Sequence, residues 1–400
     1  NLMSEEFLEY DVAVVGAGPA GSNAAYECAK NGYKVIILEE DPVVGVPVQC
    51  GEGLSCFALQ HLDLKPNDEF ISANISRLRI IFTNGNWMSV HDGGYELDRD
   101  KFDQFLVKRA TDVGSDLYTS ARVIEFNSED KILKLTYKKK IIFVKAKIII
   151  GADGPKSNIA AWSGLLQKEE WRDKLIRAYE LKMEGVDVNG FDMYFDEDIA
   201  PDGYLWVFQK GGNVANVGIA TTAKDTVNRL DRFIQQKKID GKVIGKTAGA
   251  IPYKGPLEKT YADGVLIAGD AAGSTNPVFL GGISTAMQTG SLAGKTAVES
   301  LKADDYSAGF LSRYQKKWMK LPLADKSLLE AAKVIHAFTP EMWEKMGELV
   351  GKSDVTNITV LGKLRVVLKA FYPKYWILIP VVRYMPTVMK AFSITRKWGW

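Results

Sequence analysis

Short apolar runs separated by glycine-rich breaks set the rhythm of the amino-terminal third. Val12-Ala13-Val14-Val15 is a β-branched run of the kind that fills a strand buried on both faces. The alanine-rich stretch from Ser22 to Lys30 predicts a helix, Asn31-Gly32 closes it, and Lys34-Val35-Ile36-Ile37-Leu38 predicts the next strand. Lys147-Ile148-Ile149-Ile150 and Val265-Leu266-Ile267-Ala268 repeat the apolar-strand signature far downstream. Between those two lies Tyr204-Leu205-Trp206-Val207-Phe208-Gln209-Lys210. A period of two puts its three aromatics on one face and Leu205 and Val207 on the other. The pattern turns helical after Gly294 and stays so to about residue 349, and Pro373, Pro380 and Pro386 then interrupt any long helix. Strands alternating with helices predict an α/β chain.

Gly16-Ala17-Gly18-Pro19-Ala20-Gly21 sits between the first strand and the first helix. Gly16 permits a tight turn, Gly18 lets the backbone approach a pyrophosphate, and Gly21 lets the helix pack closely on the strand. The helix start, from Ala20 onward, then offers free N–H groups to the anion. Glu39 follows the second strand, eighteen residues beyond Gly21, where an acid meets a ribose hydroxyl. Strand, turn, helix, strand and acid in that order predict one bound dinucleotide. Gly269-Asp270 repeats the strand-end acid, and Gly281-Gly282-Ile283 opens another helix-compatible stretch. A nicotinamide dinucleotide has no use for this second acid. FAD does, through its ribityl chain, and a helix-capping role for Asp270 is compatible with that. No second G-x-G-x-x-G occurs, which leaves the electron donor open.

Near the first motif, Gly51 and Gly53 suit a backbone that passes close to a flat ring system. Cys50 between Gln49 and Gly51 is either a reactive thiol or a small buried hydrophobe. Cys28 reads as core and Cys56 has no comparable setting. Tyr204, Trp206 and Phe208 form either an aromatic core strand or a broad apolar wall.

At 400 residues the chain is long enough for two or three domains, and 46% hydrophobic with 25% charged residues is ordinary globular composition. A net charge of +2 gives no general reason to bind nucleic acid. Three cysteines and three scattered histidines support neither a disulfide framework nor a zinc site. The start, Asn1 to Glu6, is acidic without an apolar core, so no signal peptide is expected, and no run reaches the roughly 18 apolar residues of a membrane span. The expectation is a soluble intracellular chain. From Val355 to Trp400 there is no acid. Lys363, Arg365, Lys369, Lys374, Arg383, Lys390, Arg396 and Lys397 alternate there with aromatics such as Phe371, Tyr372, Trp376, Trp398 and Trp400. That composition fits contact with an anionic lipid surface or a helical subdomain with a solvated basic side, and the two are compatible.

With the third strand ending in Gly151-Ala152-Asp153-Gly154, the chain resembles the FAD flavoproteins related to para-hydroxybenzoate hydroxylase over about residues 10–300. The resemblance implies an α/β fold in which a Rossmann-type FAD-binding domain is assembled from separated segments, 1–60, 95–160 and 260–300. An inserted α+β substrate domain with an antiparallel sheet would comprise 61–94 and 161–259, and 301–400 would be helical, basic and aromatic. It places Arg99 at the cofactor's phosphates, the backbone of Val123 at the adenine, and Asp153 among the cofactor-binding residues.

Within that superfamily, the Tyr-x-Trp-x-Phe run, the Gly218 segment and Pro47-Val48-Gln49-Cys50-Gly51 resemble the archaeal geranylgeranyl reductases. Gln209 and Ala220 depart from the family's Pro and second Gly, departures that bear on a local turn rather than on the wall. The resemblance implies saturation of isolated C=C bonds in geranylgeranyl chains of archaeal membrane glycerophospholipids, with hydride from reduced FAD. Cys50, Tyr204, Trp206 and Phe208 are the candidate catalytic residues. No histidine or buried carboxylate stands out as the proton source. An external donor, ferredoxin or NAD(P)H, and a cytoplasmic location peripheral to the inner face of the cell membrane complete the expectation. The competing readings are a flavin-dependent aromatic hydroxylase and a non-enzymatic prenyl-lipid carrier.

Overall fold

The computed structural model describes residues 6–398; residues 1–5 and 399–400, and the side chains of residues 360, 361 and 363, lie outside the described residues, and with them the Lys363 side chain and Trp400 singled out in the sequence. The first strand runs Glu6–Val15, longer than its apolar half predicts. It pairs in parallel with Val35–Leu38 on one side and Lys140–Gly151 on the other, and Val265–Ile267 adds in parallel beyond the latter. All four strands therefore end at the same edge. Gly16, Glu39, Asp153 and Asp270, up to 254 residues apart in sequence, are brought to one crevice outside the carboxyl ends of a parallel sheet.

Two helices meet beneath that crevice. Pro19–Ala29 begins with proline in its first turn, and its buried face is mostly small residues. The 21-residue helix Ile283–Ala303 lies against it at backbone contact. A Cβ on Gly290 would sit 2.1 Å from the Ala20 carbonyl oxygen, and one on Gly294 2.4 Å from that of Ala24. Cys28 is fully buried in this core, as expected, and its thiol donates to the Gly294 carbonyl at 3.5 Å.

A second sheet has the order Lys242–Pro252, Leu175–Glu184, Val214–Thr221, Tyr204–Gly211, Phe191–Tyr194, Leu78–Ile81, Trp87–Val90, Lys352–Asp354. It is antiparallel except where Phe191–Tyr194 meets Leu78–Ile81 and where Lys352–Asp354 meets Trp87–Val90. The last strand is a departure from an all-helical carboxyl-terminal region: Lys-Ser-Asp carries no apolar signal and joins by backbone pairing alone. A small third sheet, Gly53–Ser55, Gly94–Leu97 and Ile71–Ile75, lies between the two large ones in sequence connection.

Helices Ala308–Trp318, Lys326–His336 and Pro340–Val350 follow, then short turns at Pro373–Leu378 and Ile379–Val382 and a final helix, Met385–Trp398. The final helix is tied to the rest of the chain. Arg396 makes a two-pronged ion pair with Asp92, Lys390 reaches Asp325 at 2.7 Å, and the Trp398 ring stacks on His61 at 4.4 Å. Among the described residues no single helix is long and apolar enough to cross a membrane. Only the pair Pro373–Val382 and Met385–Trp398, bent by 68°, would together have the length and composition.

Candidate active site

The glycine turn is built from close contacts that exclude side chains. Gly16 has φ +100°, and a Cβ there would sit 2.2 Å from the Ala152 carbonyl oxygen; one on Gly21 would sit 1.9 Å from the Gly16 oxygen. Gly18 differs, with nothing within 4 Å of where its Cβ would point, so the backbone is approachable there. No side chain among the described residues caps the helix that follows, which leaves its first N–H groups free for an anion. The Glu39 carboxylate accepts the Ala17 N–H at 2.8 Å and the Asp41 N–H at 3.0 Å, tying the glycine turn to the second strand. Burial pushes its pKa up. A cavity of about 700 Å³ runs past Gly16, Gly18, Glu39, Val123 and Asp153. Asp153 is engaged by its own chain: it accepts the Ser157 hydroxyl and the N–H groups of Asn158 and Ile159, and so starts the short helix Asn158–Trp162.

A second cavity of about 250 Å³ continues the first, sharing Gly18, Gln49, Ala152 and Gly154 with it. Ala20, Cys50, Gly51, Gly53, Arg99, Asp270, Gly281, Gly282 and Ile283 line it on one side, and Tyr204, Trp206 and Phe208 on the other. The helix from Ile283 also starts without a side-chain cap among the described residues. Asp270 accepts the Thr275 hydroxyl at 3.2 Å, and a Cβ on Gly282 would come within 3.0 Å of its carboxylate. Arg99 makes a two-pronged pair with Asp103, at 3.1 and 2.9 Å. Burial opposes its charge, but Asp103 and the neighbouring Cys50 hold the guanidinium pKa up. Burial likewise raises the Cys50 thiol, against the pull of Arg99, and its Sγ accepts the Glu52 N–H at 3.2 Å.

The aromatic residues lie on one face as the period of two requires. Tyr204, Trp206 and Phe208 are buried, with ring centroids 5.8 and 6.2 Å apart in succession. Leu205 and Val207 face the opposite core with Leu230 and Phe233. Tyr204 donates to the Phe279 carbonyl at 2.6 Å. Gly218, cross-strand from Trp206, is where the indole lies flat on the backbone: a Cβ there would meet its Cζ2 at 2.2 Å. Ala220 faces Tyr204 and fits, and the segment is mid-strand rather than a turn. Gln209 also makes no turn; its side-chain oxygen accepts the Gly190 N–H at 2.9 Å, beside a register shift before Gly211.

The structure corrects one expectation outright: buried carboxylates do stand beside this wall. Glu180 accepts the Trp206 indole N–H at 2.8 Å, and Glu52 and Glu96 are joined by the Asn216 side-chain amide at 2.9 and 2.8 Å. Lys210 pairs with Glu52 at 2.9 Å and also donates to the Leu97 carbonyl. The visible sequence signal was Glu180 itself, an acid in register with Ile176 and Ala178 on an apolar strand face. The histidines take no part: His336 Nε2 is buried without a partner among the described residues, and no metal-holding cluster occurs among them.

Glycines that admit no side chain, two uncapped helix starts and two joined cavities fit a long, flat dinucleotide with phosphates at its centre. The chain is an FAD-dependent oxidoreductase, and residues 11–174 match the FAD dependent oxidoreductase family model. Residues 174–251, which hold the aromatic strand, match the geranylgeranyl reductase catalytic domain. The chain is 35% identical over 368 residues to digeranylgeranylglycerophospholipid reductase 2 of Methanopyrus kandleri, covering 88% of this chain and 93% of that one. It is 34% identical to the digeranylgeranylglycerophospholipid reductase of Methanocaldococcus jannaschii, covering 86% and 91%. A geranylgeranyl bacteriochlorophyll reductase-like protein from Thermoplasma acidophilum superposes with a TM-score of 0.83 at 30% identity, covering 94% of this chain and 100% of that one. The chain belongs to the geranylgeranyl reductase family. A flavin-dependent brominase, at 17% identity, shares the fold.

Proposed function

We propose that this chain saturates isolated C=C bonds in geranylgeranyl chains attached to membrane glycerophospholipids. The observation that carries this reading is the continuity of the dinucleotide crevice with an aromatic-walled cavity at Gly18, Ala152 and Gly154. Reduced FAD supplies the hydride. Gly16, Gly18, Ala20, Gly21, Glu39, Val123 and Asp153 form its adenosine and phosphate end, Arg99 meets its phosphates, and Asp270, Gly281, Gly282 and Ile283 form its ribityl and ring end. Tyr204, Trp206 and Phe208 hold the alkene at near-attack distance, about 3–3.5 Å, in a site that excludes water. Cys50, Gly51 and Gly53 border the ring. The division into 1–60, 95–160 and 260–300 for the cofactor and 61–94 and 161–259 for the substrate belongs to the same proposal. So does an external electron donor, ferredoxin or NAD(P)H.

We also infer a peripheral location at the inner face of the cell membrane. Leu364, Leu368, Phe371, Tyr372 and Trp376 are all at least half exposed, in a stretch with basic residues and no acid. Lys390 and Arg396, being paired, are not part of that surface.

Anaerobic incubation of the reduced holoenzyme with a geranylgeranyl phospholipid, followed by mass analysis, tests the main reading. The expected result is a gain of two hydrogens per bond and flavin reoxidation, both lost in Trp206→Ala. An unchanged lipid, or a Trp206→Ala enzyme with full activity, overturns it.

A further inference from the structure

Each saturation consumes one hydride and one proton, and the flavin accounts only for the hydride. We infer that Glu180 holds that proton and presents it to the aromatic cavity between Trp206 and Gly51. The inference rests on the reading that the alkene lies against the aromatic wall.

Glu180 shares a strand face with Ile176 and Ala178, where a lone carboxyl is costly and needs a reason. One oxygen is fixed by the Trp206 indole N–H at 2.8 Å. The same oxygen borders a gap that glycine leaves open. The position a Cβ on Gly51 would take is 3.6 Å from Glu180 Oε2, 3.5 Å from Trp206 Nε1 and 3.7 Å from Phe208 Cε2. That is a methyl-sized space between an acid, a donor and a ring edge; Gly51, Trp206 and Phe208 line the reacting cavity, and Glu180 is set back from that lining by this one space.

The charges around it favour a stored proton. Glu52 and Glu96, joined through Asn216, and Glu180 are three buried carboxyls facing two lysines. Lys210 is buried against Glu52 at 2.9 Å and is shared with Asp98, and Lys182 approaches Glu52 at 3.6 Å. Cys50 lies on the cavity side, and across the sheet Glu180 faces Gly218 and Thr247, neither of which titrates. Burial pushes Glu180 up to about 8, so it keeps its proton at neutral pH, and burial also raises Glu96 well above the ordinary carboxyl value. Lys182 and Asp98, each more than a third exposed, connect the cluster to solvent.

The step balances. The alkene π pair forms one C–H bond with the Glu180 proton, and the hydride from reduced FAD forms the other. Glu180 is left as a carboxylate held by the Trp206 N–H, with Lys182 and Lys210 attracting it electrostatically, and takes one proton back from solvent.

The test follows flavin reoxidation when pre-reduced holoenzyme meets a geranylgeranyl phospholipid without oxygen, from pH 6 to 10. The wild-type rate should be level below about pH 8 and fall about tenfold per pH unit above it. Glu180→Gln should be about a hundredfold slower or more and lack that limb, and Glu180→Asp should regain part of the rate with a limb. Trp206→Phe removes the donor that favours the carboxylate, so its limb should move to higher pH. This variant decides the matter if Glu180→Gln fails to fold. A Glu180→Gln enzyme with wild-type rate and limb, or a limb unmoved in Trp206→Phe, overturns the inference. Wild-type enzyme that leaves the lipid unchanged overturns the parent reading instead.

Discussion

Gly218→Ala should disable the enzyme although it replaces no polar group. The added methyl would lie 2.2 Å from Trp206 Cζ2 and 2.3 Å from Cε2, whereas ordinary contact begins near 3.4 Å, so the indole must move by about 1 Å. Trp206 packs between Tyr204 and Phe208 in the wall, so the indole can shift only toward Gly51 and into the cavity. Overpacking of this kind costs about 1–3 kcal/mol. Losing the 2.8 Å bond to Glu180 strands a buried partner, worth about another 1–3 kcal/mol. A loss of about 2–6 kcal/mol in urea-unfolding free energy is therefore expected. A 1 Å displacement beside the reacting bond should also lower single-turnover alkene reduction about 10²-fold. Ala220→Gly, two residues along the same strand, is the control and should change turnover less than tenfold. If Gly218→Ala keeps wild-type turnover and stability, the indole does not rest on that backbone and the wall as described is wrong.

Gly16→Ala should abolish flavin retention, because a methyl 2.2 Å from the Ala152 oxygen at φ +100° has no relief; a yellow protein after gel filtration would refute this. Burial lifts the Glu180 pKa from 4.5 to about 8, so the folded chain keeps a proton that the unfolded chain releases. Its stabilising share is full below about pH 4.5, is lost as pH rises toward about 8, and is constant above. The difference in unfolding free energy between wild type and Glu180→Gln should follow that course, and a difference independent of pH would refute the shift. Replacing Phe371 and Trp376 together by serine should weaken sedimentation with anionic vesicles about tenfold or more, with the residual binding sensitive to salt. Unaltered sedimentation would locate the lipid contact elsewhere.

What could be read from the sequence was whatever depends on neighbours along the chain. The glycine turn, the acids at strand ends and the alternation from Tyr204 to Phe208 are local patterns, and each occupies the place its spacing required. The longer first strand was hidden because Glu6–Tyr10 mixes polar and apolar residues without a period of two and finds its partner more than a hundred residues away. Lys352–Asp354 carried no signal at all. Gly218 and Ala220 look like turn residues in isolation, and only the indole across the strand explains why one must be glycine and the other need not be. The carboxyl cluster was illegible for the same reason: Glu52, Glu96, Glu180 and Asn216 come from four segments that meet only where the second sheet packs against the small third one.

The backbone-to-backbone seam between Pro19–Ala29 and Ile283–Ala303 has a consequence for how this protein can evolve. With Ala20 against Gly290 and Ala24 against Gly294, the two helices act as a fixed-gauge caliper whose two jaws open on one cavity. A single methyl in the seam would change the gauge at both jaws together, so the halves of the binding crevice cannot drift independently. Divergence toward new substrates is channelled into the second sheet, which can be recarved while the caliper stays closed.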